Sequence, residues 1–358
     1  MNNLKTTENY ILKHLIKTST IEHINIDFEF NKTNVFLHSI YCYNTDNAKK
    51  QKLLMIHGTA GNITSFAHIV DYLTPYFNIY IIDLPGFGQS LINKDDLINL
   101  SNIEVLDFYT HVIKHYIDKI IKPKKDLTCF GFSFGGLLAI EFEHKYPTYF
   151  QKLILMSPAG IFPFSSKFTF YMGMLFKISF PQNILRLLGR NVIHILSYVI
   201  KMFSHNLYYD LILLGEKHTF GDLLIGKFIS VEGLTVYHNY PVIFKLLGLR
   251  CKVRLIYTEN DCIMPVSHGY KINQMSKGSI PLHVIKQFGH SISYIDGDVV
   301  ANAIIKMNNH SDKFNHVIQR NNDNIEEQMN KIFAYKCSFN IFKSEKIIRD
   351  FYENFENI

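Results

Sequence analysis

Ser133 stands at the centre of Gly131-Phe132-Ser133-Phe134-Gly135, a G-x-S-x-G pattern. A serine hydroxyl is a weak nucleophile. It becomes a strong one when a base takes its proton and backbone N–H groups receive the oxyanion that attack creates. The pattern supplies the presentation: a sharp strand-to-helix turn pushes the serine out of a sheet, and glycines flank it because the turn leaves no room for side chains. The flanks agree. Leu127-Thr128-Cys129-Phe130 reads as a strand, and Gly136-Leu137-Leu138-Ala139-Ile140-Glu141-Phe142 as the start of a helix. Acyl transfer is the chemistry such a serine performs.

The remaining groups follow in an informative order. Asp261 lies in Thr258-Glu259-Asn260-Asp261, after the strand Arg254-Leu255-Ile256-Tyr257, and His290 lies in Gln287-Phe288-Gly289-His290, after a later strand. The expected roles are Ser133 as nucleophile, His290 as general base and then acid, and Asp261 as holder of the imidazolium. The chain has 17 histidines, so position singles out His290: it follows a glycine after a strand, downstream of the acid. Glu259, two residues before Asp261, is the rival acid, and Asp296 reads as a surface or capping residue. Two backbone N–H groups are expected at the oxyanion. One is that of Phe134, which follows the nucleophile. The other is that of Thr59, within the H-G-x-x-G run His57-Gly58-Thr59-Ala60-Gly61. His57 itself is expected to brace this loop. Nucleophile and proton traffic are then complete without a metal or an organic cofactor.

The elements that must position these groups can be read from apolar periodicity. Ile21–Phe30 and Val35–Tyr43 alternate as an antiparallel pair. Lys52-Leu53-Leu54-Met55-Ile56, Asn78–Ile82, Lys152–Met156, Val253–Tyr257 and Leu282–Ile285 read as buried strands. Ile63–Leu73, Ile103–Ile121 and Ser267–Met275 read as helices between them. Alternating strands and helices predict an α/β fold, a mostly parallel sheet with helices on both faces. All three reacting residues would then sit at the carboxyl ends of parallel strands, where a crevice forms. The interval 161–250 breaks the rhythm with helical stretches rich in Phe, Leu, Ile and Tyr, such as Phe168–Phe180 and Val192–Phe203. The expected organisation is an N-terminal amphipathic helix (1–20), a core (21–160 and 251–310), a helical lid (161–250) and a C-terminal helical tail (311–358).

Composition narrows the class. A chain of 358 residues that is 47% hydrophobic and 19% charged can bury a full core. The net charge of +6 is mild, and the basic residues are scattered rather than interleaved with stacking aromatics, which excludes a nucleic-acid module. Five cysteines at irregular spacing with no C-x-x-C pair argue against a zinc site or a disulfide framework and fit a reducing, cytoplasmic setting. Residues 1–20 lack the uninterrupted apolar run of a secretory signal. No stretch reaches the roughly 18 apolar residues of a membrane span. Lys177 and Pro181 interrupt the best candidate, so membrane contact, if any, is expected to be peripheral.

These motifs together resemble the α/β-hydrolase superfamily, abhydrolase type. The matching runs are His57-Gly58-Thr59-Ala60-Gly61, Asp83-Leu84-Pro85-Gly86-Phe87-Gly88-Gln89-Ser90, Gly131-Phe132-Ser133-Phe134-Gly135-Gly136, Asp261 with Pro265, and Gly289-His290, over about residues 50 to 305. The resemblance implies that Asp83 and its glycines form a structural turn beside the site. Lys145-Tyr146-Pro147 with Lys152–Pro163 is also similar to lysophospholipase and N-acyl-phospholipid lipase relatives. The H-x-x-x-x-D spacing that some of those relatives link to acyltransfer is not kept, because Ile295 stands five after His290 and Asp296 six. A serine in place of aspartate at residue 133 points away from epoxide and haloalkane chemistry. The expected reaction is hydrolysis of a lipid-like carboxylic ester, such as a lysophospholipid or monoacylglycerol, through an acyl-enzyme. The apolar interval 161–250 would line an acyl-chain tunnel or dip into a bilayer. The alternatives are a short-chain carboxylesterase, a C–C bond hydrolase using the same three residues, and a non-catalytic scaffold.

Overall fold

The computed structural model describes residues 2–44, 50–59, 61–92, 102–122, 126–162, 242–261, 264–286, 288–290, 292 and 295–310. Most of the expected lid (163–241) and the tail 311–358 lie outside the described residues.

The sheet is built from β1 (Thr20–Phe30), β2 (Thr33–Tyr43), β3 (Gln51–Ile56), β4 (Phe77–Ile82), β5 (Leu91–Ile92), β6 (Leu127–Phe132), β7 (Lys152–Met156), β8 (Lys252–Thr258) and β9 (Leu282–Ile285). Its order is β1-β2-β4-β3-β6-β7-β8-β9, with β5 pairing with β2. Every pair from β4 through β9 is parallel, and β1 and β2 join as an antiparallel hairpin at one edge. The hairpin turns through Asn31 and Lys32, both at positive φ (47° and 68°), the geometry a two-residue loop needs to match strand twist.

The helices are α1 (Asn2–Leu15), α2 (Ala67–Leu73), α3 (Asn102–Tyr116), α4 (Phe134–Lys145), α5 (Val242–Leu247), α6 (Val266–Met275) and α7 (Gly297–Asn308). A 3-10 turn, Ile63–Phe66, precedes α2, and a π-helical turn, Ile117–Ile121, ends α3. Two apolar cores form, one on each face of the sheet. Residues of α3, α4, α5 and α6 belong to one core. Residues of α1, α2 and α7 belong to the other. The central strands feed both by strict alternation: Leu54 and Ile56 of β3 point to the first core, Leu53 and Met55 to the second. This is why those strands read as continuous apolar runs.

Two boundaries differ from the sequence reading. The N-terminal helix stops at Leu15, and Thr20 is already in β1, because the polar Lys17-Thr18-Ser19 segment is held by Asp71: its carboxylate accepts all three backbone N–H groups at 2.6–3.1 Å. Residues 242–247, inside the interval expected as lid, form α5. Its Lys245 Nζ donates to Glu141 Oε2 of α4 at 2.6 Å in a buried pair, and Val242, Ile243, Phe244 and Leu246 join the first core.

Candidate active site

Strand β6 runs into α4 through a single residue, Ser133, whose backbone takes φ 51° and ψ −115°. A non-glycine residue at positive φ costs about 1–3 kcal/mol and persists only where its surroundings over-determine it. Here they do. Its N–H donates to the Met156 carbonyl at 3.0 Å, and its own carbonyl accepts from Gly136 at 3.0 Å and from Ala159 at 2.9 Å. The turn is thus fixed by β7 and by the first turn of α4. The side chain emerges at the carboxyl end of the sheet, where the residue is 7% exposed.

The loops after β8 and β9 reach the same point. Thr258 at the end of β8 donates its hydroxyl to the Gly289 carbonyl at 2.9 Å. The N–H groups of Glu259 and Asn260 donate to Ile285 and Phe288 at 2.9 and 3.0 Å. These bonds stitch the acid-bearing loop to the histidine-bearing loop. His290 Nε2 lies 3.0 Å from Ser133 Oγ, and His290 Nδ1 lies 2.7 Å from Asp261 Oδ2. An ionised carboxylate only accepts, so Nδ1 carries the proton and Nε2 presents its lone pair to the serine hydroxyl. Phe132 packs beside the imidazole, ring centroids 5.2 Å apart.

Asp261 is buried, which raises its carboxyl pKa. The hydrogen bond and charge of His290, with the Met264 N–H on Oδ1 at 2.7 Å, outweigh that and hold it below the ordinary value. Asp261 therefore stays an anion beside His290 through the neutral range. Glu259, the rival acid, is exposed, and the imidazole turns to Asp261 instead.

The loop after β3 lies against the nucleophile. A Cβ added to Gly58 would come within 2.9 Å of the Ser133 Cβ, so only glycine lets this loop approach. Thr59 follows it and is exposed. His57 is fully buried, and both its nitrogens serve the backbone. Nδ1–H donates to the Gly58 carbonyl at 2.7 Å, and Nε2 accepts from the Leu84 N–H at 3.0 Å. It braces the loop and has no lone pair left for a proton. Asp83, in the neighbouring loop, is buried and accepts from the N–H groups of Ile63 at 2.8 Å and Gln89 at 2.7 Å.

Burial pushes the pKa of His57, and of His68 on α2, down to about 4. In an unfolded chain both titrate near 6.5, so the unfolded state binds these protons first and acid favours unfolding. The contribution is complete above about pH 6.5 and is lost as pH falls toward 4, whereas that of Asp261 is lost only at still lower pH. Asp83, whose buried carboxyl is raised well above the usual carboxylate range, works in the opposite direction below about pH 7, so in a thermal series the expected melting temperature falls from pH 6.5 to 4 by less than the two histidines alone would give. A profile unchanged down to pH 4.5 contradicts the buried neutral state of these histidines.

Residues 52–185 match the family model described as alpha/beta hydrolase fold. That stretch is more than a third of the chain, and with the sheet order it shows the α/β-hydrolase fold. The chain is 29% identical over 138 residues to abhydrolase domain-containing protein abhd-5.2 of Caenorhabditis elegans, covering 38% of this chain and 30% of that one. It is 26% identical over 152 residues to monoacylglycerol lipase abhd6-B of Xenopus laevis, covering 40% and 42%. The chain thus spans less than half the length of these curated relatives. Among solved structures, a putative lipase from Acinetobacter baumannii AYE superimposes with a TM-score of 0.58 at 15% identity, covering 85% of this chain and 93% of that one, a likeness of fold.

The sequence pointed to Ser133, Asp261, His290, Thr59 and Phe134, and the fold gathers the first three into one line of contacts. It also reveals supports that reading the chain missed: the Met264 N–H on Asp261, the Thr258 hydroxyl on Gly289, and Gly58 against Ser133. Only the first had a local signal, an aspartate opening a turn that closes before Pro265.

Proposed function

We propose that this α/β hydrolase is a serine hydrolase that cleaves the carboxylic ester of a lipid-like substrate, a lysophospholipid or monoacylglycerol, through an acyl-enzyme. The observation that carries the reading is the unbroken line Ser133 Oγ, His290 Nε2, His290 Nδ1, Asp261 Oδ2, with separations of 3.0 and 2.7 Å. In this scheme His290 takes the hydroxyl proton as Ser133 Oγ attacks the ester carbonyl. The oxyanion is received by the backbone N–H groups of Thr59 and Phe134. Phe134 opens α4, so its N–H lies at the positive end of the helix dipole. His290 then passes its proton to the departing alcohol, and a water activated by the same imidazole frees the acid. Asp261 keeps the imidazolium oriented and its charge balanced.

The lipid-like substrate is supported by the likeness to a monoacylglycerol lipase and by the apolar interval 161–250, which we take to be a helical lid over the site, giving way at its end to α5. Among the described residues no helix is long and apolar enough to cross a membrane. We place the protein in the cytoplasm, with membrane contact through surface helices or the lid.

The test is a p-nitrophenyl ester series run beside labelling with a fluorophosphonate probe. The expected result is labelling of the native protein and a kcat/KM that rises from acetate to octanoate or longer. Acetate preferred over octanoate rejects the lipid reading in favour of a short-chain esterase, and no labelling at all rejects the serine hydrolase. The acid is tested separately. Asp261→Asn, which leaves the wrong tautomer on His290, is expected to lower kcat by about 10⁴-fold, and Glu259→Ala to leave it within about twofold. The reverse pattern would make Glu259 the acid.

A further inference from the structure

Among the described residues two serines stand at positive φ, and they lie side by side. Ser133 follows β6 at φ 51°, and Ser157 follows β7 at φ 43°. The Ser133 N–H donates to the Met156 carbonyl at 3.0 Å, one residue before Ser157, and the Ser157 N–H donates to the Ile256 carbonyl of β8 at 2.9 Å. Ser157 therefore sits between the strand that leads to Ser133 and the strand that leads to Asp261. Serine suits that backbone poorly. The left-handed region favours glycine, and the following residue, Pro158, favours extended backbone before it. Pro158 cannot shift to relieve the strain, because it packs on α4: a Cβ on Gly136 would stand 2.9 Å from the Pro158 Cβ. Glycine at 157 would remove the strain, so its retention points to a task for the side chain.

That side chain carries one polar atom. Ser157 is fully buried, and its hydroxyl makes no hydrogen bond in the structure. A buried hydroxyl without a partner is uncommon and asks for a cause. The group it faces is the Asp261 carboxylate, which it helps to keep ionised. An ionised carboxylate accepts up to about four hydrogen bonds. Two come from His290 Nδ1 and the Met264 N–H, each at 2.7 Å, and the Ser157 hydroxyl is placed to give another. Tyr257 on β8 and His268 on α6 also face Asp261. Burial holds the His268 imidazole down to about 4 and the Tyr257 phenol well above its ordinary value, so both are neutral at pH 7 and neither adds charge to the acid. We propose that Ser157 is a positioning residue for the acid: its hydroxyl turns onto the Asp261 carboxylate as His290 takes up the Ser133 proton, and holds Oδ2 against Nδ1 while the imidazolium lasts. The inference rests on the serine-hydrolase reading above. A hydroxyl can make that turn without any movement of the backbone. The moment matters because the carboxylate then lies beside a cation with a proton to give. A further donor lowers its basicity and keeps that proton on Nδ1.

The experiment uses the full chain. Ser157→Ala and Ser157→Gly are compared with wild type, and both changes are repeated on Asp261→Asn. On the wild-type background each is expected to lower kcat on p-nitrophenyl octanoate by about 10- to 100-fold, with KM within about twofold. On Asp261→Asn the same changes should cost less than about twofold, because a residue that acts through the acid has nothing left to act on. Ser157→Gly is the folding control: it sheds the strain together with the hydroxyl and should melt no lower than Ser157→Ala. Separately, the Asp261 carboxyl, followed by carbon NMR, should titrate at higher pH in Ser157→Ala than in wild type, since a donor to its anion is gone. Equal losses on the two backgrounds, or an Asp261 titration that does not move, overturn the proposal and leave Ser157 a packing residue. Failure of the hydrolase reading looks different. The wild type then takes no fluorophosphonate probe, and the NMR titration alone decides whether Ser157 holds the acid.

Discussion

Ser133→Ala is expected to lower kcat on a p-nitrophenyl ester by about 10⁴- to 10⁶-fold, equivalent to about 5–8 kcal/mol of transition-state stabilisation. His290→Gln should cost about as much, and the double variant little more, because the two act as a unit. The fold should not suffer. The alanine loses only the hydroxyl, while the turn is held by backbone bonds to Met156, Gly136 and Ala159. Ser133→Gly sharpens the expectation. It should be equally inactive yet melt higher than Ser133→Ala, because glycine releases the strain at φ 51°. That strain, about 1–3 kcal/mol, exceeds the roughly 0.5–1 kcal/mol that glycine adds in chain entropy. Kinetics and melts of the three proteins decide the matter. Activity within tenfold of wild type in Ser133→Ala would remove this serine as nucleophile.

Gly135→Ala is expected to be among the most damaging single methyls in the described residues. Two effects oppose each other. Alanine is favoured over glycine in a helix by about 1 kcal/mol. Against that, a Cβ at 135 would stand 2.2 Å from the Ile56 carbonyl oxygen and 2.6 Å from that of His57. Those oxygens belong to the end of β3, which is locked in register to β4 and β6, so they cannot give way as a side-chain tip would. The clash wins, and a loss on the order of 4 kcal/mol or more is expected, a large share of the 5–15 kcal/mol typical of a domain. Gly278→Ala is the comparison. Its φ is +79° but nothing lies within 4 Å of the added methyl, so it should lose only the left-handed penalty of about 1–2 kcal/mol. Denaturant titrations of the two variants should differ by several kcal/mol. Equal losses would mean that β3 can move.

The parts of the fold legible in the sequence are those where one local signal dominates. β3, β6, β7 and β8 are continuous apolar runs because both faces are covered, and their limits lie within a residue or two of the pattern. β5 is two residues long and has no pattern to read. Helix α7 carries apolar residues at Val300, Ile304 and Met307, yet begins at Gly297, a residue that ordinarily signals a stop. The glycine is there for packing: a Cβ would lie 2.1 Å from the His68 carbonyl oxygen on α2. Asp261 and His290 were legible as partners of Ser133 because each follows a strand in a short loop. The contact between Glu8 of α1 and His38 of β2 was not, since the two are 30 residues apart and meet only when α1 docks on the hairpin.

The sheet order also sets a schedule. Ser133 follows β6, but His290 lies 157 residues later, and β8 and β9 come only after the long interval between Met156 and Lys252. Chains are made from the amino end at about 5–20 residues per second, so Ser133 is made many seconds before His290. During that interval the Ser133 turn has no His290 to meet it. Any activity that needs the Ser133–His290 contact must wait until His290, in the loop after the last strand of the sheet, has been made.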